Sequence, residues 1–242
     1  GRMMRNLILL AIFGVYLQVV KCTPRSPLFG SIAACTTVST SGLSAASIHY
    51  LCVYECKLHQ TNTFQRLANL VKLYLGHNSR LQNEQYGFVG LSNLRTLSLY
   101  NCDLTETVLQ GDYLRPLVSL EMLDLYGNHM KIIQPALFFV NMIDFQELNV
   151  TLNRMTCICE EDLLGFQGKQ FRLLDLSSIQ LNSMTQYGFD WKICRNPLRN
   201  MSMEILDLSS NGFNVDKAKQ FFNTIRGTKI HHLILEHSTM GK

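Results

Sequence analysis

Four stretches of this chain share one hydrophobic template, LxxLxLxxN: LVKLYLGHN at 70–78, LEMLDLYGN at 120–128, FQELNVTLN at 145–153 and MEILDLSSN at 203–211. Weaker copies start at Ile48, Leu94, Phe171 and Ile230, so the eight starts lie 22, 24, 26, 25, 26, 32 and 27 residues apart. A unit this short cannot bury its apolar face alone and gains a core only by stacking on its neighbours. That requirement excludes a chain wrapped around one central core and demands an extended stack. Hydrophobic residues make up 47% of the 242, which suffices to run one continuous core through it.

Within the copy at 120, Leu123 and Leu125 face inward while Met122, Asp124 and Tyr126 face out, the period-two signature of a short strand. Parallel neighbours pair about 4.8 Å apart, so the outward residues of successive copies build one wall. The closing Asn78, Asn128, Asn153 and Asn211 turn inward, where an amide can pair buried backbone groups. Cys56, Cys102, Ile179 and Ser238 hold that position elsewhere. Cys and Ser are small substitutes with weaker hydrogen bonding, whereas Ile179 breaks the ladder. Between strands, Phe88, Leu91, Leu137 and Phe138 are expected to fill the convex side. The fold class that follows is α/β: a leucine-rich repeat solenoid over residues 48–242. It is a curved horseshoe with a parallel sheet on its concave face and irregular or short helical segments on its convex side.

Residues 1–21 read as a signal peptide: Arg5 precedes the apolar run LILLAIFGVYLQVV, which is too short to span a membrane. Residues 22–47 then form an N-terminal cap, and export makes the eight cysteines disulfide candidates. Cys22 and Cys35 bracket the cap and are expected to pair. Cys159 and Cys194, in convex or lateral segments of successive repeats, are the second expected pair. Cys56 and Cys102 stand two rungs, roughly 10 Å, apart and read as buried free thiols. Cys52 and Cys157 remain unassigned. The copy at 230–240 is followed by no cap and no membrane span. The expectation is a truncated array, poorly soluble without an added cap, whose membrane attachment belongs to a missing C-terminal part.

No GxSxG elbow, HExxH, phosphate-cradling glycine loop or plausible carboxylate pair occurs, so the chain is expected to be no enzyme and to need no cofactor. Cys157 with Cys159, the histidines 231, 232 and 237, and the acidic run 160–162 lack converging ligand spacing, so no metal is expected. A formal charge of +4 without a Lys/Arg run argues against nucleic acid. A rigid array suits protein binding, and the residues just after the strands are the candidates: Tyr100, Tyr126, His129, Lys131, Arg154, Gln180, Asn182 and His237. Glycosylation sequons begin at Asn149 and Asn200. A glycan on Asn149 would occupy the inner wall and leave the lateral face for a ligand.

Segments that the repeat template does not dictate carry a resemblance. They are LYNCDLTETVLQGDYLR at 99–115, LLGFQGK at 163–169, DWKICRNPLRNMSMEILDLSSNGFNVD at 190–216 and LILEHSTMG at 233–241. Together they resemble the ectodomain of the flagellin-recognising Toll-like receptors, strongly over residues 94–240 and weakly from Cys22 to Asn93. The resemblance implies that Cys159 and Cys194 are bridged. It also implies that bacterial flagellin docks along a lateral face, using the N-terminal repeats and a long loop in a later one. It further implies a secreted or cell-surface location, with dimerisation, a membrane helix and a signalling domain belonging to the full-length protein. A soluble decoy or carrier, or a matrix leucine-rich repeat binding protein, is the alternative.

Overall fold

The computed structural model describes residues 7–12, 15–20, 50–52, 64–65, 67–79, 81, 87–187 and 189–238. The expected cap at 22–47, with Cys22 and Cys35, lies outside these residues, as does Cys56. Within the segment read as a signal peptide, β1 (Leu7–Ile12) and β2 (Val15–Val20) pair antiparallel as a separate two-stranded sheet.

The repeats supply the second sheet. Its eight strands are β3 (Tyr50–Cys52), β4 (Lys72–Tyr74), β5 (Thr96–Ser98), β6 (Met122–Asp124), β7 (Glu147–Asn149), β8 (Gln170–Asp175), β9 (Ser202–Asp207) and β10 (Lys229–Ile234). All are parallel and stand in chain order. Register aligns one leucine per strand: Leu51, Leu73, Leu97, Leu123, Leu148, Leu174, Leu206 and Leu233. The first seven are buried, whereas Leu233, on the outermost described strand, is 41% exposed. A one-residue slip in any strand would turn its leucines to solvent, so the pattern itself fixes the register. This is the leucine-rich repeat solenoid.

On the convex side the connections are short helices: α1 (Thr107–Gln110), α2 (Val215–Thr224) and 3-10 turns at 137–141, 160–166 and 181–187. Asn214 caps α2, its Oδ1 accepting from Lys217 N at 2.9 Å. Phe88 and Leu91 are buried as expected, and Phe138 packs half-buried against the core, but Leu137 is 70% exposed. The 3-10 period explains the difference. Hydrogen bonds link Phe139 to Ala136, Met142 to Phe139 and Phe145 to Met142. Residues three apart therefore share a side, which turns Phe139 and Met142 inward and leaves Leu137, Val140 and Ile143 facing out. Phe139 joins Phe145, Phe166 and Phe171 in a run of ring contacts at 5.3–6.0 Å that crosses three repeats.

The inward asparagines do what the template requires. Asn128 Nδ2 donates to Leu99 O and Leu125 O at 3.0 and 2.9 Å, and its Oδ1 accepts from Cys102 N and Leu104 N, both at 3.0 Å. Asn211 repeats this with Leu176 O, Leu208 O, Ile179 N and Leu181 N. Asn153 donates to Leu125 O and Val150 O and accepts from Met130 N. The substitutes contribute less: Cys102 Sγ donates to Leu75 O at 3.1 Å, and Ser238 Oγ to Leu235 O at 3.0 Å. Ile179, fully buried, has no amide to offer.

The residue before each of these positions has positive φ: His77, Asn101, Gly127, Leu152, Ser178, Ser210 and His237, at 50° to 67°. The chain must reverse there in a left-handed conformation, which asparagine and glycine adopt at little cost and leucine does not. Leu152 is 49% exposed, so little packing offsets the strain. Leu152→Asn is expected to raise stability by about 0.5–1 kcal/mol, read as a higher urea midpoint with unchanged slope.

Cys159 and Cys194 are disulfide-bonded, with Cα atoms 5.4 Å apart. Cys102 and Cys157 are free. Burial pushes the Cys102 thiol up to about 12, which keeps it protonated and inert.

Candidate functional site

Seven of the eight residues singled out for binding lie in the turns that follow the strands, and Asn182 lies at the start of the 3-10 segment 181–187, so the parallel register sets equivalent positions side by side along the ribbon. Tyr100 and Tyr126 occupy equivalent positions on adjacent rungs, two residues beyond β5 and β6. Tyr100 packs edge-on against His77 at 5.1 Å and lies over Gly76, where a side chain would strike its ring. His129, Arg154 and Gln180 form a second row on three successive rungs, with His129 Nε2 3.2 Å from Asp103 Oδ1 one rung earlier. Lys131 and Asn182 lie two residues further along their turns. The Lys131 N–H donates to Glu106 Oε2, and Asn182 covers Gly212. His237 stands apart, two positions earlier in its turn than His129 and on the last described rung. His129, Lys131, Arg154 and His237 are exposed, and the other four are partly buried.

The concave wall is differently spent. Register places Asp124, Asn149, Asp175 and Asp207 in one row across β6 to β9. Each side chain accepts from the N–H two residues on, at Tyr126, Thr151, Ser177 and Ser209, over 2.8–3.1 Å. These acids start the turns, as Asp and Asn do in Asx turns. Burial raises the Asp124 carboxyl, against lowering hydrogen bonds from Ser98 and Tyr126, and Asp175 raises it further. Asn149 sits within this row, on the inner wall. Asn200 is an exposed turn residue with φ 57°. No group of three or more His, Cys, Asp or Glu converges on a metal-sized site among the described residues.

No protein-family model matches the chain. Human Toll-like receptor 5 is 35% identical over 178 residues, 74% of this chain and 20% of that protein. Mouse Toll-like receptor 5 is 38% identical over the same length and the same shares. This is a leucine-rich repeat region of the Toll-like receptor 5 type. It spans about a fifth of the length of those relatives. Human leucine-rich repeat-containing protein 4C is 45% identical over 71 residues, 29% of this chain and 10% of that one. Among solved structures, a Listeria monocytogenes internalin aligns with TM-score 0.46 at 16% identity, over 80% of this chain and 49% of that one. A Toll-like receptor 13–single-stranded RNA complex aligns with TM-score 0.30 at 16% identity, over 86% of this chain and 42% of that one.

One feature of this repeat region escapes residue-by-residue reading. Glu160, segment 190–199 and the outer face of α2 enclose a cleft of ≈ 560 Å³. The available signal was the 32-residue spacing between the starts at 171 and 203, the longest in the chain. A repeat with surplus residues must place them outside the shared spine.

Proposed function

We propose that the chain is the ligand-binding part of an innate pattern-recognition receptor ectodomain that senses bacterial flagellin along the flank bearing Tyr100, Tyr126, His129 and Arg154. The identity of 35–38% to Toll-like receptor 5 over 74% of the chain carries this reading. The flank supports it physically, because aromatic and arginine side chains held on successive rigid rungs suit a protein surface. A glycan at Asn149 would crowd the inner wall and favours the flank over the concavity. In this reading residues 1–21 direct export, and the protein works outside the cell or at its surface. No helix among the described residues is long and apolar enough to cross a membrane.

Flagellin affinity of single alanine variants tests the assignment. Tyr126→Ala and Arg154→Ala are each expected to weaken binding about tenfold, as truncation of an interface anchor does. Charge reversal at Glu204, an exposed residue within β9 and not in a turn after a strand, is expected to leave affinity unchanged. Equal affinity across all flank variants would remove the flank from the binding surface.

A further inference from the structure

We propose that the cleft between segment 190–199 and α2 binds an acidic saccharide, a glycan bearing sulfate or carboxylate groups. The cleft is built rather than incidental. The Cys159–Cys194 bond ties one wall to the preceding repeat. Asn196 Nδ2 donates to Thr228 Oγ1 at 2.9 Å, Thr224 Oγ1 donates to Trp191 O at 3.0 Å, and the Trp191 ring meets Phe221 edge-on at 4.9 Å. Walls held this way lose little freedom when a ligand arrives.

Charge and hydrogen-bonding capacity then select the ligand. Lys192 and Arg195 are exposed on the rim and take part in no salt bridge among the described residues, whereas Arg199 is paired with Glu160 at 2.9 Å. The surplus is cationic and calls for oxyanions. Two lining residues make opposite demands: Glu160 Oε2 lacks a donor and Trp191 Nε1 lacks an acceptor, both shielded from solvent. Buried polar atoms without partners are uncommon and costly. Ligand hydroxyls, which both donate and accept, suit either atom. Arg199 is 56% exposed and Glu160 only 14%, so the guanidinium holds the carboxylate in place at the edge of the cleft. Gln220, on α2, adds an amide suited to neighbouring hydroxyls. Clustered hydroxyls together with oxyanions define an acidic saccharide. An acidic peptide supplies the anions without the hydroxyls.

Binding of the 242-residue chain to three immobilised probes tests this: a heparin-derived sulfated oligosaccharide, a neutral dextran of equal length, and poly-glutamate. Capture by the sulfated saccharide alone is expected. Lys192→Glu with Arg195→Glu should weaken it about tenfold or more, while Arg95→Glu with Arg115→Glu, several rungs away, should change it less than about twofold. Trp191→Phe keeps an aromatic side chain against Phe221 and loses the indole N–H. It should weaken binding several-fold without altering the salt dependence, because no charge is removed. Equal capture by poly-glutamate would assign the cleft to an acidic peptide. Equal loss from the distant pair would reduce the effect to the chain's overall basicity, and either outcome overturns the proposal, as does failure to bind the sulfated probe.

Discussion

Asn128→Leu is expected to destabilise the array by about 3–5 kcal/mol. The amide serves five backbone groups on two rungs, of which Tyr126 O also accepts from Asn101 N. Leu125 O keeps a donor, because Asn153 Nδ2 also reaches it at 3.0 Å. Cys102 N, Leu104 N and Leu99 O lose theirs inside the core, and each orphaned group costs about 1–3 kcal/mol before the chain relaxes. Leucine recovers part of this through apolar burial, which is why the net falls below the sum. Hydrogen exchange locates the damage: the Cys102 and Leu104 amides should lose protection first, since solenoid stability is summed over neighbouring rungs. Ile179 shows that one rung can carry an apolar residue at this position, so the array should stay folded. Unchanged exchange at both amides, with an unchanged urea midpoint, would contradict the role given to the ladder.

The spine of this protein was legible because its determinants are local and repeated. The leucine alternation sets strand, face and register together, and the closing asparagine declares where the chain turns inward. The alignment of His129, Arg154 and Gln180 on successive rungs was legible for the same reason: once the strands align, it follows by counting. Leu137 was misplaced because PALFFVN offers five consecutive hydrophobic residues, Ala136 to Val140, and no period-two signal. The 3-10 register that selects Phe139 is set by hydrogen bonds running from Ala136 to Phe145. The cleft was illegible for a different reason. Glu160 and Trp191 are 31 residues apart, and Gln220 is a further 29, so only the folded stack brings them to one opening. Sequence spacing announced surplus chain there without saying what it would enclose.

Joint replacement of Cys159 and Cys194 by serine is expected to cost about 3–4 kcal/mol, the chain-entropy value for freeing a loop of this length. The separation is 35 residues. Removing both thiols also prevents Cys157, free and two residues from Cys159, from forming a substitute bond. The loss should be regional. Segment 190–199 is held by this bond, by the Trp191 packing and by Asn196, and with the bond gone its amides should exchange faster. Glu160 should lose Arg199 as a steady partner. Strands β5 and β6 stand three and two rungs before β8, so the Leu97 and Leu123 amides should remain protected and binding through Tyr100 and Tyr126 should survive. A uniform loss of protection from β4 to β10 would instead mean that the array melts as one unit and that its rungs are not summed as independent neighbours.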